Sequence, residues 1–132
     1  MNEEIILKSE DGVGIITLNR PERLNALTYN IVQKMNDFLD KCESDDDIKC
    51  VIIEGAGEKA FCAGGDVVSL RKQVLDEGGP PTELSEKFFY DEYLLNYKIN
   101  NFTKPYIALI DGVTMGGGVG VSMHGSHIVC TE

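Results

Sequence analysis

An α/β fold is the class this sequence predicts, and three features carry that prediction. Two short β-branched runs joined by a turn open the chain, and a helical pattern then leads into the nearly all-apolar "CVIIEG". A unit of strand, glycine-rich loop and helix also occurs twice, at residues 51–75 and 106–125. Helices alternating with apolar strands pack against a sheet.

The runs Ile5–Lys8 and Val13–Leu18 flank "SEDG", whose Asp11-Gly12 step is hairpin turn chemistry, so a β-hairpin is expected. Pro21 ends the second strand because it has no N–H for a ladder bond. Thr28 is the expected N-cap of a helix whose buried face carries Ile31, Met35, Phe38, Leu39 and Cys42 at helical spacing. "CVIIEG" reads as a strand covered on both faces. After the loop "GAGEKAFCAGGD", Asp66 caps a helix from Val67 to Leu75, and "DEGGPPTE" is a polar break. A further helix has Ser85 as its candidate cap and Phe88, Tyr93, Leu95 and Ile99 along its buried side. Pro105 ends it, "YIALIDG" is a second buried strand, "GVGVSMHG" a helix start, and "HIVC" another strand.

At 132 residues the chain fits one domain or part of one. Its formal charge of −10 is spread along the sequence, which argues against a nucleic-acid partner, since that surface needs a basic footprint. Any anionic ligand must then be held by backbone N–H groups or by a few cations, with Lys8, Arg20, Arg23, Lys59 and Arg71 as candidates. The cysteines at 42, 50, 62 and 130 form no C-x-x-C pair, so reduced thiols are expected rather than a zinc or redox site. No apolar run reaches the roughly 20 residues of a membrane span, so no membrane partner is expected. "MNEEIILK" is too acidic for a signal or transit peptide.

Each glycine loop leaves a strand and enters a helix, where free N–H groups and the helix dipole favour negative charge. Neighbouring parallel strands would bring the two loops together and aim two N–H groups at one oxygen, the geometry of an oxyanion hole. A dinucleotide site is the first rival, because "GAGEKA" fits G-x-G-x-x-A; "FCAGG" continues as loop where that motif demands a helix. No P-loop is present. Ser122, His124 and His127 do not form a nucleophile elbow or a triad, and a structural role is read for each. Close packing of helix on sheet is the competing reading of the glycines; two matching loops favour a ligand.

With both loops in view, the chain resembles the crotonase, or enoyl-CoA hydratase/isomerase, superfamily. "ITLNRPERLNALT", "AFCAGGD" and "KPYIALIDGVTMGGGVGVSMHG" match its landmarks in order, and "EKFFYDEYLLNY" points to the acyl-CoA thioester hydrolase group of valine breakdown. The resemblance implies a ββα spiral fold, incomplete at the C-terminus, with residues 1–132 as the N-terminal part of one domain. It implies an acyl-CoA substrate, with coenzyme A part of that substrate and no separate cofactor or metal. Gly65 and Gly117 would supply the oxyanion-hole N–H groups, and Glu92 would contact substrate. Ala63 and Gly64 would line the adenine side, Asp66 would shape the loop, and Arg23 and Leu24 would pass near the CoA nucleotide. Homo-oligomers among full-length members and a mitochondrial matrix location are further implications, with the cytoplasm as the alternative.

Hydratases of this superfamily carry a glutamate at the position of Gly120, so hydration, which uses two carboxylates on one water, is disfavoured. The hydrolase group's "PE-T" and "PD-GG" segments do not occur, and the expectation is a chain with part of an active site and little turnover by itself. An isomerase or hydratase relative, and a non-catalytic fragment that binds CoA or a subunit, are the alternatives.

Overall fold

The computed structural model describes residues 3–79 and 81–132. Met1 and Asn2 of the acidic opening and Pro80 of the polar break lie outside the described residues.

β1 (Ile5–Glu10) and β2 (Val13–Leu18) form the expected hairpin, with β1 extending past Lys8. Asp11 and Gly12 at its turn have φ of 49° and 80°, a left-handed pair whose twist suits the two strands. Pro21–Arg23 then make one 3-10 turn. α1 (Tyr29–Ser44) starts where expected, because the Thr28 Oγ1 accepts the Ile31 N–H at 3.2 Å. Ile31, Met35, Leu39 and Cys42 are buried, and Phe38 packs at the margin of the core.

The remaining elements are β3 (Cys50–Gly55), β4 (Ala60–Cys62), α2 (Val67–Asp76), α3 (Glu83–Asn100), β5 (Tyr106–Ile110), β6 (Val113–Thr114), α4 (Gly117–Gly120) and β7 (His127–Cys130). The main sheet has the order β1-β2-β3-β5-β7, antiparallel at the hairpin and parallel beyond it. Ile16 lies opposite Ile53, and Ile53 opposite Ala108, so one face is a continuous apolar surface. α1 and α3 pack together over it, and the core joins Ile31, Met35, Leu95 and Ile99 to Leu18 and Val51. Each such side chain, fully buried, contributes about 1.5–3 kcal/mol.

Several expectations are corrected. β3 is not buried on both faces: Val51 and Ile53 are sealed, while Cys50 and Ile52 on the other face are only half-buried. Thr82, not Ser85, caps α3; its Oγ1 accepts the Ser85 N–H while the Ser85 hydroxyl accepts the Thr82 N–H, a reciprocal capping box. On α3, Tyr93 is 67% exposed and Glu92 takes the inward position. "GVGVSMHG" yields only the single turn α4, followed by further turns.

Parallel pairing of β3 with β5 sets the two glycine loops side by side. Inside the loops, β4 and β6 pair as a second small parallel sheet, and the Met115 N–H donates to the Cys62 carbonyl at 3.1 Å.

Candidate functional site: two glycine loops and a buried glutamate

Three segments are sewn together by main-chain bonds around Gly64. The Ala63 N–H donates to the Leu24 carbonyl at 2.9 Å, the Leu27 N–H to Gly64 at 2.8 Å, and the Asp66 N–H back to Leu27 at 2.8 Å. Gly64 has φ of 112°, open to glycine at no steric cost.

Asn25, fully buried in left-handed backbone, locks the "RPERLNAL" turn onto this loop. Its Nδ2 donates to the Ala56 and Ala60 carbonyls, both at 2.9 Å, and its Oδ1 accepts the Arg20 N–H at 2.9 Å. The Arg20 guanidinium reaches Asp66 Oδ2 at 2.9 Å, the Ala26 carbonyl at 2.7 Å and Glu4 at 3.5 Å. Arg20 is therefore a tie between loop and strand, not the free cation it was a candidate for. Burial presses the Asp66 carboxyl upward, but the Ser69 N–H and then Arg20 outweigh it and hold it below the usual aspartate range. Asp66 also caps α2, accepting the Ser69 N–H at 3.0 Å. Lys8 is paired with Glu10 at 3.5 Å.

The second loop turns through Gly116, at φ 52°, into α4. Ser122 braces α4 by donating to the Gly118 carbonyl at 2.6 Å, the structural role read for it. A methyl group on Gly64 would stand 3.4 Å from the Gly117 nitrogen, and one on Gly117 would stand 3.3 Å from the Gly65 nitrogen. The Gly65 and Gly117 N–H groups are thus close neighbours, and no hydrogen bond among the described residues takes either.

Glu92 projects from α3 toward this pair. It is 7% exposed, and no hydrogen bond or ion pair among the described residues reaches its carboxylate. Burial holds its carboxyl above the usual glutamate value. Its direction is set from α1: the Tyr29 hydroxyl donates to Asp91 Oδ2 at 2.8 Å and the Asn36 Nδ2 to the Asp91 carbonyl at 3.2 Å.

A cavity of about 360 Å³ joins these groups, with Gly65, Asp66, Glu92, Asn96 and Gly117 on its polar side and Leu70, Phe88 and Phe89 on its apolar side. Of the predicted residues, Ala63, Gly64, Arg23 and Leu24 do not line it; they form the backing of the first loop. Burial pushes the Cys62 thiol up to about 11, so it stays protonated at neutral pH. Among the described residues no three His, Cys, Asp or Glu side chains converge as a metal-ligand set, and no helix is long and apolar enough to cross a membrane. Asn25 and Asn96 were not assigned to the site by sequence reasoning, and Arg20 was a candidate only as a ligand-binding cation. For Asn25 and Asn96, a polar residue between apolar neighbours is the signal the sequence offers.

A hairpin leading into a parallel sheet, with two glycine loops sewn together beside a buried carboxylate, defines a protein of crotonase fold. The chain belongs to the enoyl-CoA hydratase/isomerase family, whose sequence profile matches residues 13–132. It is 48% identical over 129 residues to the mitochondrial 3-hydroxyisobutyryl-CoA hydrolase of Danio rerio, covering 98% of this chain and 33% of that protein. The enzyme of the same name from Homo sapiens is 47% identical over 131 residues, with 98% and 33% covered. The chain thus spans about a third of the length of these curated relatives. Among solved structures, a carnitinyl-CoA dehydratase from Mycobacterium thermoresistibile superposes with a TM-score of 0.90 at 43% identity, covering 98% of this chain and 37% of that one. An enoyl-CoA hydratase from Rhodobacter sphaeroides gives 0.91 at 35% identity, with 97% and 37% covered.

Proposed function

We propose that this chain forms the thioester-binding part of an acyl-CoA hydrolase that acts on 3-hydroxyisobutyryl-CoA, a mitochondrial matrix step of valine breakdown. One observation carries the reading: the unclaimed N–H groups of Gly65 and Gly117 stand side by side next to the Glu92 carboxylate. The substrate and compartment rest on the likeness to the two named hydrolases.

In the proposed reaction, water or a carboxylate adds to the thioester carbonyl carbon and negative charge gathers on its oxygen. The two N–H groups stabilise that oxyanion, each by roughly 3–4 kcal/mol. Collapse breaks the C–S bond, and coenzyme A leaves as a thiolate that takes a proton. The sequence requires no metal or redox group. Glu92 contacts the acyl group, and burial makes it hold a proton more readily than an exposed glutamate does. Asp66 is committed to Arg20 and Ser69, which leaves Glu92 as the one uncommitted carboxylate lining the cavity. With one carboxylate available, the chain by itself binds the thioester with little turnover.

The dehydratase and hydratase names of the two solved structures raise hydration as a second reading. It is disfavoured because the space at Gly120, where hydratases of the superfamily carry a glutamate, is filled by the Asn96 amide. Calorimetric titration of the 132-residue chain with 3-hydroxyisobutyryl-CoA tests the first reading, alongside thiol release and crotonyl-CoA hydration assays. Binding without appreciable turnover is expected. Absence of binding, or steady hydration of crotonyl-CoA, overturns it.

A further inference from the structure

Asn96 lines the cavity with a side chain that the proposed reaction leaves without a task, and unlike the exposed Tyr93 beside it, it carries a buried polar atom. It lies one helical turn beyond Glu92 on α3, on the same face, and lines the same space. Its Oδ1 is buried with no hydrogen-bond partner. A methyl group on Gly120 would come within 2.7 Å of its Nδ2 and 2.8 Å of its Oδ1, so the bare backbone there is what admits the amide. Leaving such a group unsatisfied is costly, and its retention in a cavity wall points to a ligand atom as the missing partner. Leu70, Phe88 and Phe89 make the adjoining wall apolar, which leaves few other polar contacts for an acyl chain.

We infer that Asn96 is the specificity-determining contact for a hydroxyl group on the acyl part of the bound thioester. A hydroxyl both donates and accepts, and a half-turn of the amide exchanges Oδ1 for Nδ2, so the pair can bond in either sense. A site built to bond a hydroxyl rejects the analogue that lacks it, because its own polar group then stays unpaired. Gly120 and Asn96 act together in this: the first clears the space and the second fills it with an amide.

This inference rests on the thioester site proposed above, and calorimetry with a matched pair of ligands separates the two claims. The wild-type chain is expected to bind 3-hydroxyisobutyryl-CoA about tenfold more tightly than isobutyryl-CoA, which differs only by the hydroxyl. Asn96→Ala should bring that ratio to about one, and Asn96→Ser should restore part of the preference. A wild-type ratio near one overturns the assignment without any variant, as does a preference that survives in Asn96→Ala. Failure of the wild-type chain to bind either thioester overturns the site itself, and this inference with it.

Discussion

The Glu92 carboxylate lies directly against the backbone of Gly117: a methyl group added to that glycine would stand 2.5 Å from Oε1. Gly117→Ala must therefore push Glu92 away and also crowd the Gly65 nitrogen. A stability loss of about 1–3 kcal/mol is expected by urea denaturation, with thioester binding weakened at least tenfold by calorimetry. Unchanged affinity in a folded variant would show that neither N–H contributes.

Glu92 should make the protein less stable as pH rises. Its folded carboxyl holds a proton more tightly than the unfolded value of about 4.3, because burial disfavours the charge. Below that value both states are protonated and the residue costs nothing. Above it the unfolded chain ionises first, and stability falls until the folded group ionises as well. Glu92→Gln is expected to raise Tm near pH 7.5, with the gain fading at about pH 4. Thermal melts across that interval check it; a gain that grows toward acid would contradict the sign.

Asp66 works in the opposite sense. Its folded pKa lies below the unfolded value of about 3.9, so its contribution is present above that value and is lost as pH falls through the folded one. With the Arg20 and Asp66 side chains only 13% and 11% exposed, Asp66→Asn should cost about 1–3 kcal/mol at pH 7. The gap between the two urea midpoints should close below about pH 4.

Asn25→Ala should be among the more damaging single changes away from the apolar core. It removes three hydrogen bonds and places alanine at φ 55°. A loss of about 2–4 kcal/mol is expected from chemical denaturation. Asn25→Gly, which relieves the backbone but not the bonds, should recover about 1 kcal/mol of it.

Much of the fold was legible because its signals are local. Asp11-Gly12 supplies the left-handed turn, Thr28 the cap of α1, and Asp66 the cap of α2, and each needs only residues within a few positions to act. The pairing of β3 with β5 could also be anticipated, since two strand and loop units of the same kind suit neighbouring parallel strands. α3 was misread in part because it carries two candidate stripes. Tyr90, Tyr93 and Tyr97 form an aromatic row that stays exposed, while Phe88, Glu92, Leu95 and Ile99 turn inward. Helical spacing cannot choose between them when the buried row contains a carboxylate.

The sequence by itself determined the family, the strand and helix order and the two loops, because turn, cap and glycine preferences are encoded over short stretches of chain. Only the tertiary structure decided which polar groups meet. Arg20 with Asp66, Glu92 with Gly117 and Asn96 with Gly120 are contacts between residues far apart in sequence, the first fixed by the bonds that join the Arg20 turn to the first glycine loop and the other two by where α3 lies against the second. Burial of a carboxylate and an amide opposes their hydration, so no local preference foretells it. The packing of their neighbours imposes it.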